Sequence, residues 1–318
     1  VGAGGAPVAT RSLTVGAHTI TAVASGDSNF SSSASAPLTR TVNQAATTTT
    51  VGSNANPSVF GQSVTLTATV SAVAPGAGTP TGTVTFTDGV VVLGAPVALN
   101  GSGQAAFTSG AFTVGAHQIT ATYSADANFL ASDNTASPLV QTVNQAATTT
   151  AVTSGTNPSV FGESVTFTAT VTPVAPGAGT PTGTVTFTDG AAPLATGTLA
   201  AGVATFATST LTVARHSITA AYGADVNFTA STSGALSQVV NQAATTTTVV
   251  SSLNPSVFGQ SVTFTATVTA VAPGAGTPTG TVTFKDGAAT LGSGALAGGV
   301  ATFATTTLSG ASHRLTAV

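Results

Sequence analysis

The chain has 318 residues, 42% apolar and 4% charged, with a net charge of −3 and no cysteine. So much Val, Ala, Leu and Phe with so little charge argues against disorder, which needs the opposite balance. The lack of a basic stripe or Lys/Arg cluster argues against nucleic acid and anionic membrane surfaces as partners. Without cysteine there is no disulfide, thiolate nucleophile or Cys-ligated zinc, and no apolar run approaches the roughly 20 residues that cross a bilayer.

Residues 1–42 match only the last part of a unit that recurs along the chain: Val15-Gly16-Ala17-His18 lines up with Val114-Gly115-Ala116-His117. The chain begins with Val1 and has no charged segment leading into an apolar one, so the expectation is that a signal peptide is absent or already removed. From Asn43 a strict register begins. The string Asn-Gln-Ala-Ala-Thr-Thr-Thr starts at Asn43, Asn144 and Asn241, 101 and 97 residues apart. Asn-Pro-Ser-Val-Phe-Gly starts at Asn56, Asn157 and Asn254, and Pro-Gly-Ala-Gly-Thr-Pro-Thr-Gly-Thr-Val-Thr-Phe at Pro75, Pro176 and Pro273, with the same spacings. The organisation expected is therefore the last part of a repeat over 1–42, whole repeats over 43–143 and 144–240, and a repeat lacking its last part over 241–318. Because Val318 falls inside a strand pattern, the sequence is read as a window on a longer protein.

Within a whole repeat the pattern is that of strands. Val64-Thr65-Leu66-Thr67-Ala68-Thr69-Val70 alternates apolar and polar residues without a fault, as a half-buried strand does. Thr83-Val84-Thr85-Phe86-Thr87 follows suit and runs into Asp88-Gly89, a hairpin signal. His117 then opens a strand with Ile119, Ala121 and Tyr123 on one face. No helical stripe is present. Seven or so short strands per repeat suggest a sandwich. Its expected core comprises Phe60, Val64, Leu66, Val84, Phe86, Phe107, Ile119, Tyr123 and Phe129, with counterparts including Phe161, Phe187, Phe206 and Ile218. Connectors such as Asn144-Gln145-Ala146-Ala147 are too short for a floppy tether, so the repeats are expected to sit end to end as a rod. With loops alternating between the two ends of a sandwich, the expected joint is polar: Asp88 and His117 of one repeat facing Asp225, Val226 and Asn227 of the next.

Few residues carry chemistry. His18, His117, His216 and His313 recur once per repeat, which suits packing and hydrogen bonding at one end of the sandwich. No Ser/His/Asp constellation can be assembled from them, and no catalytic residue is assigned. Six of the eight acids occupy two repeat positions. Asp88, Asp189 and Asp286 fit a tight turn, where Asp bonds its own backbone. Asp27, Asp126 and Asp225 stand in Asp-x-Asn loops with Asn29, Asn128 and Asn227. The plain reading of these loops is an Asx-type turn followed by a plugging Phe. The sharper one is calcium, because each pair supplies two or three of the six to eight oxygens the ion takes. These six residues are the metal candidates, and calcium is the one cofactor weighed. Gly76-Ala77-Gly78 lacks the Lys and helix of a phosphate loop. The Thr65, Thr67 and Thr69 row reads as the solvent face of a strand.

Pro80-Thr81-Gly82-Thr83-Val84-Thr85-Phe86-Thr87-Asp88-Gly89 resembles the PTGTVTF-x-DG hallmark of bacterial immunoglobulin-like repeat domains. Gly115 to Phe129 is similar to that family's G-x-H-x-I-T-A-x-Y-x-G-D-x-N-F stretch, except that Ala125 stands where the family has Gly. The resemblance covers the whole chain. It implies an all-β fold of tandem immunoglobulin-like β-sandwiches, and a large, exported, multi-domain surface protein. The function expected is a non-catalytic stalk or spacer, extracellular or at the cell surface. The alternative is the subunit of an extracellular filament. Expected partners are neighbouring repeats and lateral or end-to-end copies of the same chain. No nucleic acid partner is expected, and no membrane insertion by this segment.

Overall fold

The computed structural model describes residues 7–10 and 13–318. For residues 1–6, 11 and 12 the expectation of a partial repeat over 1–42 lies outside the described residues. The described residues form strands and turns with no helix, and so none long and apolar enough to cross a membrane. The chain divides into two compact units, one comprising Val1–Ala146 with Val174–Gly179, the other Ala147–Pro173 with Thr180–Val318.

The first unit begins with an antiparallel pair, Gly16–Ile20 against Leu38–Val42, in the register Gly16↔Val42. A complete sandwich comes next. One sheet places Val64–Ala72 between Gln104–Ser109 and Thr47–Ser53. The other runs in the order Val97–Ala98, Thr83–Asp88, Gly115–Tyr123, Leu139–Asn144, Ser58–Val59, and its last pair is parallel. The chain thus leaves one sheet after Ser53 and joins the other at Ser58, crossing over at Pro57, which has no N–H to give a ladder.

Alternation does the rest. Val64, Leu66, Ala68 and Val70 point inward and are buried, while Thr65, Thr67 and Thr69 point outward. They meet Val84, Phe86, Ile119, Ala121 and Tyr123 of the facing sheet in one cluster. Truncating a buried aromatic such as Phe86 typically costs about 3–5 kcal/mol. The rings of Phe86 and Phe107 lie 5.9 Å apart across the core. Phe107 is only half-buried because its strand is at the sheet edge, and Phe206 is half-buried in the same position of the second copy. Phe60 is half-buried and Phe161 is 41% exposed, contrary to the expected core: both lie in the turn after the parallel pair, outside the sandwich.

A polar clasp closes the parallel pair. Gln141, fully buried, donates through Nε2 to the Ala55 carbonyl at 2.9 Å and to Ser58 Oγ at 3.1 Å. Burying amide N–H groups is costly unless they find acceptors, as both do here, whereas Gln141 Oε1 is buried without a hydrogen-bond partner.

In the second unit the same arrangement recurs. Val165–Pro173 lies between Thr148–Ser154 and Val203–Thr208, opposite a sheet ordered Ser159–Val160, Leu236–Asn241, Arg215–Tyr222, Thr184–Asp189, Ala192–Thr198. Gln238 repeats the clasp on Thr156 and Ser159. Ala192–Thr198 is one seven-residue strand with a register shift opposite Phe187/Thr188. Its counterpart in the first copy is broken into Val91–Val92 and Val97–Ala98 around Pro96. The third copy sets Val262–Ala270 between Thr245–Ser251 and Val300–Thr305, against Ala289–Ala295, Thr281–Asp286 and Leu315–Ala317.

The departure from the family pattern at Ala125 has a backbone consequence. Ala125 and Ala224 adopt φ of 71° and 76°, whereas the equivalent Gly26 has 73° without a side chain to strain. Left-handed backbone costs a non-glycine residue on the order of 1 kcal/mol. Ala125→Gly and Ala224→Gly are therefore expected to stabilise the chain by about 1 kcal/mol each. Denaturant melts of the single and double variants check this; a loss of stability would overturn it.

Candidate functional site

Two side-chain arrangements recur from copy to copy. The first pairs the histidine with the aspartate of the tight turn. Thr83–Asp88 runs antiparallel to Gly115–Tyr123 with Asp88 opposite Ile119, which brings the start of one strand beside the end of the other. Asp88 Oδ2 lies 2.6 Å from His117 Nδ1, while its Oδ1 accepts the Gln118 N–H at 3.1 Å. His117 Nε2 lies 2.9 Å from the Thr113 carbonyl, and the Phe112 ring packs 5.1 Å from the imidazole. In the second copy His216 makes the same contacts to Asp189 at 2.6 Å and Thr212 at 2.8 Å. In the third, His313 reaches Asp286 at 2.6 Å and Ser309 at 3.0 Å. His18 shows the carbonyl half of the pattern, 2.6 Å from Thr14.

Both ring nitrogens of His117, His216 and His313 thus face pure acceptors. A neutral imidazole has one N–H and can satisfy only one of them, whereas the imidazolium satisfies both. Burial, the largest influence on His117 and His216, pulls their pKa down. The Thr113 or Thr212 carbonyl and the paired aspartate outweigh it and hold both above the ordinary histidine value. His313 is raised first by the Ser309 carbonyl and then by Asp286.

Ser309 Oγ also comes within 3.4 Å of His313 Nε2, a Ser/His/Asp line in outline. The same nitrogen is 3.0 Å from the Ser309 carbonyl, however, and a proton held there makes it a donor rather than a base. In the first two copies that position is Thr113 or Thr212 and contributes its carbonyl. The constellation is a structural clip.

The second arrangement is the Asp-x-Asn loop. Asp126 Oδ1 accepts the backbone N–H groups of Asn128 and Phe129 at 2.8 and 2.9 Å; Oδ2 accepts the Thr81 N–H and hydroxyl at 2.8 and 2.6 Å. Burial alone would raise this carboxyl, but these four donors hold it down at about 2. Asp225 repeats the set with Asn227, Phe228 and Thr182, and its pKa is likewise lowered. Asp27 accepts from Asn29 and Phe30 at 2.7 and 2.9 Å. The loop seats Phe129 and Phe228 in their cores and leaves the Tyr123 and Tyr222 phenols buried, with burial and the nearby carboxylate pushing each up to about 12. It also holds the incoming chain: Ala45 N–H donates to the Asn128 carbonyl at 2.9 Å and Gln44 Nε2 to the Asp126 carbonyl at 2.7 Å.

For calcium the fit is poor. The oxygens of Asp126 already accept four hydrogen bonds, and a cation would have to displace those donors. Among the described residues no group of three or more His, Cys, Asp or Glu side chains gathers at one place.

The profile of the bacterial Ig-like domain (group 3) family matches residues 49–144, 152–241 and 247–318. No curated protein matches the chain. Among solved structures it is similar to FdeC, an adhesin of Escherichia coli, at 16% identity over 80% of this chain and 86% of that one, with a TM-score of 0.28. It is similar to the fibronectin(III)-like modules of CbhA from Clostridium thermocellum at 19% identity, 61% and 94% coverage and a TM-score of 0.27. A titin domain segment aligns at 12% identity, 81% and 88% coverage and a TM-score of 0.37.

Because the folded state raises the pKa values of His117, His216 and His313, it favours their protonated forms. The stability they add is fully present below the unfolded value of about 6.5 and is lost as pH rises through the raised folded value. Melting temperature is expected to fall over that window in the parent chain and to stay flatter in a His117→Gln/His216→Gln/His313→Gln variant. Parallel slopes would overturn the imidazolium assignment. Calcium and a chelator are each expected to leave melting unchanged; a saturable upward shift with calcium would assign the Asp-x-Asn loops to metal.

Proposed function

The chain belongs to the bacterial Ig-like domain (group 3) family, and from that premise we propose that it is a stalk: a non-catalytic spacer in a large exported surface or adhesin-type protein. The observation that carries this reading is repetition without a cleft-borne chemistry. The same sandwich recurs in tandem, and the recurring polar groups, His117 with Asp88 and Asp126 with Thr81, make bonds within the sandwich. Three residues separate the last strand of one copy from the first of the next, as between Leu236–Asn241 and Thr245–Ser251. Connectors so short leave little room for a flexible tether.

In this reading residues 43–143, 144–240 and 241–318 are successive repeats, and 1–42 belongs to the one before them. Their partners are neighbouring repeats. The scarcity of charge, five basic and eight acidic residues in all, also suits association of near-neutral surfaces, as a filament subunit would need.

Protease shaving of intact cells producing the natural protein tests the stalk. Fragments of this segment are expected in the released fraction while a cytoplasmic marker stays inside. Recovery only after lysis would overturn the proposal. Sedimentation of the purified chain separates the two readings: a monomer supports the stalk, and concentration-dependent polymers the filament.

A further inference from the structure

Phe161 is a large apolar side chain that lies outside the sandwich core, and within the second unit it has a different partner. Its carbonyl accepts the N–H of Ala275, in the Pro-Gly-Ala-Gly loop of the following copy, at 3.2 Å. Its own N–H donates to the Asn241 carbonyl, at the start of the connector, at 2.8 Å. The ring lies over Gly276, where a Cβ would stand 3.2 Å from Cε1. Gly162, with φ +82°, lies so close under Ala275 that a Cβ there would collide with the Ala275 carbonyl. The loop therefore meets a turn with a glycine on each side of the contact, and the backbones touch because neither glycine carries a side chain.

The contact recurs within the first unit. Ala178 N–H donates to the Phe60 carbonyl at 3.2 Å, Phe60 N–H to the Asn144 carbonyl at 2.9 Å, and a Cβ on Gly61 would strike Ala178. In each copy the turn is preformed by a side-chain cap: Gln62 Oε1 accepts the Val59 N–H at 3.0 Å, Glu163 Oε2 the Val160 N–H at 3.0 Å, and Gln260 Oε1 the Val257 N–H at 3.1 Å. The third copy has the same capped turn. Phe258 is 80% exposed, and open space surrounds Gly259.

We propose that the Phe-Gly turn of each repeat is a receptor for the Pro-Gly-Ala-Gly loop of another repeat of the same kind. The partner is recognised by a main-chain N–H between two glycines and by the bare glycine face that accepts the aromatic ring. Within the second unit, the second and third copies are therefore clasped at a second point besides their connector. That the contact is small does not weaken it, because a three-residue connector holds turn and loop together at high effective concentration. The clasp is main-chain and apolar, unlike the polar joint expected from the aspartate and histidine positions. It stands whether or not the chain is a stalk.

The absence of cysteine allows clean spin labelling of the full chain. Thr205→Cys and Thr302→Cys place nitroxides on exposed strand positions of the second and third copies. Electron–electron distance measurements on this pair are expected to give one narrow distribution. Phe161→Ala removes the ring, and Ala275→Pro removes the N–H donor. Each is expected to abolish the narrow peak and leave a broad one, with the melting transition retained because neither residue belongs to a sandwich core. A narrow peak that survives both substitutions, or a parent distribution already as broad as theirs, would overturn the clasp.

Discussion

A chain with no cysteine and thirteen charged residues must hold itself together by packing, and each sandwich does so through one layer of side chains between two small sheets. Val64, Leu66, Ala68 and Val70 face Val84, Phe86, Ile119 and Tyr123, and what lies outside that layer has to be secured by other means. The ends of a sandwich are where strands stop and main-chain groups lose ladder partners. They are also where Asp88, Asp126 and Gln141 make their bonds.

Each of those side chains ties together pieces of chain far apart in sequence. Asp88 joins the end of one strand to the start of another across 29 residues. Asp126 fixes its own loop and reaches Thr81, 45 residues away. Gln141 bridges to Ala55 and Ser58 across more than 80 residues. These are carboxylate or amide groups making several hydrogen bonds each, and bonds to charged groups are the stronger ones. In each copy these residues make the same bonds within the sandwich.

Strand positions were legible because period-2 alternation states both the element and its inward face. Val64 to Val70 and Thr83 to Thr87 fold as that pattern dictates. The tight turn at Asp88-Gly89 was legible from local chemistry. Pairings that depend on register between distant strands were not: nothing in the spacing of Asp88 and His117 shows that both imidazole nitrogens find acceptors. Phe161 misled for a related reason. An aromatic next to a strand reads as core, and only the fold shows that the turn carrying it points out of the sandwich. Ala125 shows in the sequence only as a residue in place of the family's glycine, and its φ of 71° comes from the fold.

Turn and loop belong to a single repeat, as Phe161-Gly162 and Pro176-Gly177-Ala178-Gly179 do in the second copy. A duplicated stretch of coding sequence one period long therefore carries both halves of the proposed clasp, wherever in the array it is inserted. No compensating change is needed in the repeats on either side. Under that proposal an array could gain or lose whole repeats and keep the residues that meet at each junction, so that its length would be separable from its fold.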